Sequence, residues 1–503
     1  MTAREALPLL LVATSLVPAL VVFALPERAR VARDTVTLLG AGVKLVLVLV
    51  LLLGVFRGAT YEVRWAVLPD LAFVLRVEEV PLLFLTLSVL LWFATTVYTI
   101  GYLAGDAHLT RFFGYFNLCV AATMGIGLAG NLFTFLIFYE LLTVSTFPLV
   151  VHEGTADARA GGRAYLAYAV GGGSVLFVAM VWLALVADTI EFSTGGVLAD
   201  AAAAEPGALT AIFALLVIGL GVKAALVPLH GWLPQAMVAP TPVSALLHAV
   251  AVVKAGAYGL VRVVLDLYGP ATAAALGVLT PLAVVAAVTL LWGSVRAIGQ
   301  DGLKARLAYS TVAQLAFVAF GVAVGGPGAT AAGLVHLVHQ GLMKVTLFYC
   351  VGALGKELGV HRASELDGTA RRMPVTMSAF ALAALAMVGV PPLAGFVTKW
   401  HLGVGAVAVG AWWVPVVLAA STLLTAAYVL PLVHAAWFRP PRTQWPPRHA
   451  RFETRVSLLA PIVAVAASVA LVGTLAGAPF SPFGWSELIV EQVFGLEQGD
   501  ARE

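Results

Sequence analysis

The chain has 503 residues, 61% of them hydrophobic and only 11% charged, with a mean hydropathy of +0.98 and a formal net charge of +3. That polar surface is too small to cover a soluble globule of this size, so the class is an all-α polytopic membrane protein lying in the lipid bilayer. The small net charge gives no reason to expect a nucleic-acid partner, and two distant cysteines in apolar runs, Cys119 and Cys350, supply neither a disulfide framework nor an iron–sulfur ligand set.

Taking about 20 apolar residues as one crossing, the chain holds about 14 spans. They lie near 6–25, 35–56, 80–104, 113–130, 131–152, 164–187, 208–229, 243–265, 271–293, 306–325, 328–354, 374–409 (interrupted), 411–438 and 455–476. The first run is long enough to span and lacks a clear cleavage site, so no signal peptide is expected. The polar connections 188–207, 355–373 and 439–454 are too short to build a separate core. Beyond Pro479, Trp485, Leu488, Ile489, Val493 and Phe494 among acids suggest a segment along the membrane surface.

The connections after odd-numbered spans carry 18 Lys and Arg residues, among them Arg28, Arg30, Arg33, Arg371, Arg372 and the group Arg439, Arg442, Arg448, Arg451 and Arg455. The opposite side carries six. Positive charge stays on the cytoplasmic side, which predicts odd connections inside a bacterial inner membrane and both termini on the periplasmic side.

Five of the seven lysines, Lys44, Lys223, Lys254, Lys344 and Lys399, fall inside apolar stretches, whereas the 22 arginines fall in polar segments or at span ends. Arginine cannot realistically release its proton, but a desolvated lysine can. Prolines interrupt two spans, each time beside one of these lysines: after Lys223 in VKAALVPLHGWLPQAMVAPTP and before Lys399 in GVPPLAGFVTKWH. Irregular backbone at membrane depth is tolerated only where protein or water satisfies the freed groups, so both breaks mark a polar interior. Paired breaks in two halves of a chain also suggest inverted repeats.

Glu140, in NLFTFLIFYELLTVSTFPLV, is the one acid near the middle of a span. An ionisable group there costs on the order of 3 kcal/mol, so Glu140 is expected to face a lysine. A static ion pair is the plain alternative, but one carboxylate cannot neutralise five ammonium groups. At about 4 Å and an effective dielectric near 20, such a pair is worth about 4 kcal/mol, or about a thousandfold in proton affinity. Separating and closing it would control release and reloading of a proton.

The stretch VKAALVPLHGWLPQAMVAPTPVSALLHAVAVVKAGAYGL, from Val222 to Leu260, resembles a signature of the antiporter-like subunits shared by respiratory complex I, membrane-bound hydrogenases and Mrp-type Na+/H+ antiporters. FYELLT around Glu140, LKARLAYSTVAQLAF, GLVHLVHQGLMKVTLF and PPLAGFVTKW extend the resemblance from about residue 78 to residue 401. It implies 14 helices, two inverted five-helix repeats (helices 4–8 and 9–13) with helices 7 and 12 broken, and a proton path along a central polar axis. The corresponding division is 1–104 for helices 1–3, 105–265 and 266–438 for the two repeats, and 439–503 for helix 14 and the tail.

The resemblance assigns Glu140 and Lys223 as an interacting pair, His248 and Lys254 to helix 8, His336, His339 and Lys344 to helix 11, and Lys399 to broken helix 12. Glu78 or Glu79 matches an acid before helix 3, within an altered local pattern, and Lys44 matches no motif. His336, Gln340 and Lys344 recur at i, i+4 and i+8, nearly one helical face. His230 and His401, beside the breaks, are expected either to bond freed carbonyls or to pass protons.

These readings predict a proton-translocating subunit working with other membrane subunits and having no catalytic chemistry of its own. No metal site or cofactor is expected, and a sodium site needs more oxygen ligands than one central carboxylate, so any Na+ passage belongs to the assembly. The D-type subunit of Mrp antiporters is favoured by NLFTFLIFYELLTVSTFPLVVHEGT followed by AGGRAYLAYAVGG, with an M- or N-type subunit of complex I or a hydrogenase, or a partner of an inorganic-carbon uptake protein, as the alternative.

Overall fold

A computed structural model describes residues 3–69, 71–441, 445 and 452–496. Arg442, Arg448 and Arg451 of the cationic cluster lie outside the described residues.

Among the described residues, 11 helices are long and apolar enough to cross a membrane. In chain order the main helices are α1 (Ala3–Ala24), α2 (Arg30–Val55), α3 (Glu79–Tyr102), α4 (Leu109–Leu128), α5 (Leu132–Val150), α6 (Ala156–Val186) and α7 (Pro206–Lys223). Two shorter helices follow, α8 (Thr241–Ala249) and α9 (Val252–Arg262), then α10 (Leu279–Ile298), α11 (Leu303–Val324) and α12 (Pro327–Leu358). The chain closes with α13 (Pro374–Val388), α14 (Ala394–Ala408), α15 (Trp413–Phe438), α16 (Val456–Thr474) and α17 (Pro482–Phe494). Large apolar side chains such as Leu39, Val46, Leu185, Val416 and Leu423 stay exposed on the outer helices, as a lipid-facing surface requires.

The 32-residue α12 is the central post, and its most apolar window is fully buried. It packs against α3, α8, α11, α13, α14, α16 and α17. The tail helix α17 therefore rests on the helical core, with Ile489 and Val490 buried.

Connections of like parity meet one another. On one face Glu27 accepts hydrogen bonds from the Leu109 and Thr110 amides, Lys356 lies 3.8 Å from Asp106, and Glu453 accepts from the Val375 and Thr376 amides at the start of α13. On the other face an antiparallel β-hairpin, β1 (Tyr61–Leu68) and β2 (Leu71–Val77), which the span reading did not anticipate, bridges through Leu75 to Ala129. Its strands are only eight and seven residues long and carry Glu62, Arg64 and Arg76 among their apolar residues, so a 20-residue hydropathy window passes over it.

Two arginines that the sequence places in a polar segment and at a span end, Arg33 and Arg262, are buried, and Arg262 has a buried acid beside it, Asp266, at 3.0 Å. Glu78 accepts from both terminal nitrogens of Arg262 at 3.1 Å and lies 3.6 Å from Arg76. Arg64 and Arg76 then hold Glu191 at 2.6 and 2.9 Å, fastening the hairpin to the loop after α6.

Hydrogen bonds from Arg64, then from Arg76, hold the Glu191 carboxyl below its ordinary value despite partial burial. A carboxylate depressed in the folded state adds stability that is complete above its unfolded pKa of about 4.3 and is lost as pH falls through the lower folded value. Amide protection factors across Tyr61–Val77 should therefore hold from neutral pH down to about 5 and fall below about 4. Full protection in strong acid, read by hydrogen exchange, would contradict this account.

Candidate functional site: a buried axis of lysines and histidines

Lys223 is the last residue of α7, where the chain leaves the helix through Ala225 at φ +56°. The Val222 carbonyl accepts from the Trp232 indole at 2.7 Å besides the Ala225 amide, so Trp232 takes the carbonyl-bonding part expected of His230. The Lys223 ammonium donates to the Tyr139 carbonyl and sits 3.3 Å from the centre of the Tyr139 ring, a cation–π contact. Gly256 of α9 packs straight onto this break. A Cβ there would lie 2.2 Å from the Ala224 nitrogen, so only glycine admits the approach.

Glu140 and Lys223 do not form a closed ion pair, which corrects the expected contact at about 4 Å. Their charges interact, and Lys223 is bonded to the carbonyl of the residue just before Glu140. The Glu140 carboxylate instead lies in a space left by Gly173 of α6, where a Cβ would come within 2.1 Å of Oε1. That oxygen has no hydrogen-bond partner among the described residues. Gly173→Ala would push the flexible end of Glu140 out of its niche without moving backbone. The expected result is a melting temperature close to wild type with proton flux altered by about 10- to 100-fold. Unchanged flux in membrane vesicles would show that the niche is indifferent.

The eighth predicted span, 243–265, is not one helix. It breaks between α8 and α9 and ends in a π-helical turn, Val263–Tyr268. Ala251 donates to the Leu246 carbonyl five residues back, and the displaced His248 carbonyl accepts from the Gln340 amide at 3.1 Å. A side chain from α12 thus enters the hydrogen-bond ladder, which is a recognised cause of a kink. His248 and Lys254 sit on opposite sides of this joint. His248 stacks on Phe348 and sets Nε2 3.1 Å from the Met237 sulfur, while Lys254 donates to the Leu337 carbonyl of α12.

His336, Gln340 and Lys344 all point inward, but to three different helices. Lys344 donates to Ser310 of α11, Gln340 reaches α8, and His336 sets Nδ1 3.1 Å from the hydroxyl of Thr398 on α14. His339 sets its own Nδ1 2.9 Å from the same hydroxyl. Lys223 is 1% exposed, and His248, Lys254, His336, His339 and Lys344 are wholly buried.

The second break follows α13 at Gly389, and α14 begins after Pro391 and Pro392. Lys399 reaches back to cap α13, donating to Val388 at 2.8 Å and Met387 at 3.2 Å, and to Thr422 of α15 at 3.0 Å. Those carbonyls are the ones a helix end leaves unpaired, and a cation there also meets the negative end of the helix dipole. His401 packs instead on the Phe483 ring at 4.0 Å.

Three nominated residues fall away from this axis. Lys44 donates to Ser15, joining α2 to α1, and Glu78 belongs to the Arg262 network. Glu79 accepts from Gln492 at 3.5 Å. Sequence reasoning passed over Ser310, Thr398, Thr422 and Tyr139. Thr398 stands directly before Lys399 and Ser310 lies within LKARLAYSTVAQLAF, but hydroxyl residues are so common in membrane helices that position alone gave no signal.

The family model described as "NADH:quinone oxidoreductase/Mrp antiporter, TM" matches residues 129–425, from just before Glu140 to beyond Lys399. The chain belongs to this family. NADH-quinone oxidoreductase subunit N of Desulforudis audaxviator is 34% identical over 395 residues, covering 76% of this chain and 77% of the relative. Na(+)/H(+) antiporter subunit A1 of Staphylococcus haemolyticus is 34% identical over 320 residues, covering 60% of this chain but only 39% of its own length. The fold matches a chain of the Mrp complex from Dietzia sp. with a TM-score of 0.86 at 23% identity, over 100% of this chain and 99% of that one. That chain thus shares the fold in which Lys223 and Lys399 of this chain stand at the two breaks.

Proposed function

We propose that this chain is a proton-translocating, antiporter-like subunit of a multisubunit membrane complex. The observation that carries the reading is the series of cations and imidazoles between two helix breaks, buried from Lys223 at one break to Lys344 on α12 and ending at the half-buried Lys399 at the other. Glu140 acts as the acidic control on Lys223, and protons pass through His248 and Lys254 to the α12 histidines and Lys399, with Lys344 joining the path from α12. Buried polar atoms with unspent capacity punctuate that series: Glu140 Oε1, His248 Nδ1, Gln340 Oε1 and the Nε2 atoms of His336 and His339. Internal water completes such groups in proteins, and here it would link them into a conducting chain.

The same reading counts 14 spans by adding α4, the jointed α8–α9 pair and the broken α13–α14 pair to the 11 long apolar helices. It pairs helices 4–8 with 9–13 as inverted repeats, divides the chain at residues 104, 265 and 438, and sets the cationic odd-numbered connections in the cytoplasm. Proton uptake by vesicles carrying the assembled complex, compared between wild type and Lys223→Ala, tests the proposal. Equal uptake would refute it.

The energy source depends on the partners. Sequence texture favours a D-type Mrp subunit exchanging monovalent cations for protons, while 34% identity with a subunit N across three quarters of the chain supports a redox-driven assembly. Purification of the intact complex separates the two: antiporter subunits beside this chain support the first, quinone-reductase subunits the second.

A further inference from the structure

Thr398 stands between two buried histidines and contacts both through one hydroxyl, His336 Nδ1 at 3.1 Å and His339 Nδ1 at 2.9 Å. A hydroxyl carries one hydrogen, and a neutral imidazole has one N–H and one bare nitrogen. No other hydrogen bond is made by the Thr398 hydroxyl among the described residues. With its hydrogen directed at one Nδ1, the other Nδ1 must carry a proton and donate to Oγ1. The two imidazoles are then opposite tautomers, one with a bare Nε2 and one with Nε2–H. Neither Nε2 has a hydrogen-bond partner among the described residues, so either order of tautomers satisfies the geometry, and the order with the bare Nε2 on His339 is the one that can take a proton from the Lys254 side.

We propose that His339, Thr398 and His336 form a directional three-residue proton relay that carries one proton from the Lys254 side of the axis to Lys399. The step balances as follows. A proton from Lys254, through water, binds Nε2 of His339. His339 passes its Nδ1 proton to Thr398 Oγ1 while the Thr398 hydroxyl proton moves to Nδ1 of His336. His336 then releases its Nε2 proton toward Lys399. Charge interactions agree with this order, since Lys254 acts on both histidines whereas Lys399 acts on His336.

After one passage both imidazoles have exchanged tautomers and the hydroxyl points the other way. A second proton cannot follow in the same direction until the unit resets, so the relay passes one proton per cycle. This places Lys344, bonded to Ser310, on a side branch rather than between Lys254 and Lys399.

The relay rests on the proton-path reading, and the experiment keeps the two apart. In vesicles carrying the assembled complex, Thr398→Val, which keeps shape and removes the hydroxyl, should lower proton flux by about 100-fold, and Thr398→Ser should stay within about twofold of wild type. 15N resonances of labelled histidines, assigned with His336→Asn and His339→Asn, should show one Nδ1–H and one Nε2–H tautomer in the wild-type protein. Wild-type flux in Thr398→Val, or two identical tautomers, overturns the relay. If Lys223→Ala also conducts normally the path itself is refuted, whereas loss in Lys223→Ala with normal flux in Thr398→Val removes the relay alone.

Discussion

Lys223→Ala and Glu140→Ala are each expected to lower proton-coupled transport by about 100-fold or more, the loss typical of removing a positioned proton donor or acceptor. In the proposed mechanism both groups act together and are not a static strut. Lys223 is bonded to the Tyr139 carbonyl, one residue from Glu140, while the Glu140 carboxylate rests against Gly173. In the proposed mechanism a side-chain swing would close the pair, a contact worth about 4 kcal/mol at an effective dielectric near 20. If the pair were only structural, Lys223→Arg would preserve it, because arginine keeps the charge and the hydrogen-bonding capacity. If Lys223 must release a proton, Lys223→Arg will be as inactive as alanine, since a guanidinium does not deprotonate. Dye-quenching assays on vesicles, with assembly checked on native gels, read both variants. Normal flux in the arginine variant would reduce the pair to a structural contact.

Arg262→Met is expected to be the most damaging single change to stability. Arg262 is 1% exposed, with the Asp266 carboxylate at 3.0 Å and Glu78 at 3.1 Å. Removing the cation strands Asp266 in the interior, and breaking a buried pair in this way costs about 3–5 kcal/mol. Glu78 suffers less, since it retains Arg76 at 3.6 Å. Melting of the detergent-solubilised protein should therefore fall sharply in Arg262→Met and recover in Arg262→Met/Asp266→Leu, where no lone charge is left. A melting temperature unchanged by the single substitution would show that the network adds little.

Much of this architecture was legible in the sequence. Apolar runs of spanning length predicted the helices because lipid leaves the backbone no partner but itself. The two stretches that combine prolines with a lysine predicted both breaks, and α7 and α13 end where expected, beside Lys223 and Lys399. The α8–α9 joint was invisible because its cause is Gln340 on a helix some 90 residues away, entering a stretch whose own letters read AVAVVK. Arg262 is the span-end arginine it was expected to be, but its burial was not legible because its partners come from the hairpin edge and the following turn, one of them 184 residues distant.

The sequence by itself determined that this is a membrane-embedded chain with ionisable groups kept in its interior, and it named most of them, though not the buried Arg33, Arg262 and Asp266. Composition and spacing carry that information, since every Lys, His or Glu in an apolar run has to be compensated somewhere. Only the tertiary structure decided the pairings. It parted Glu140 from Lys223, sent Lys44 to Ser15 and Lys344 to Ser310, and gathered His336 and His339 on the single hydroxyl of Thr398. The physical reason is that a buried polar group accepts whichever donor or acceptor packing brings within about 3 Å, and packing is set by the apolar faces of helices far apart in the chain.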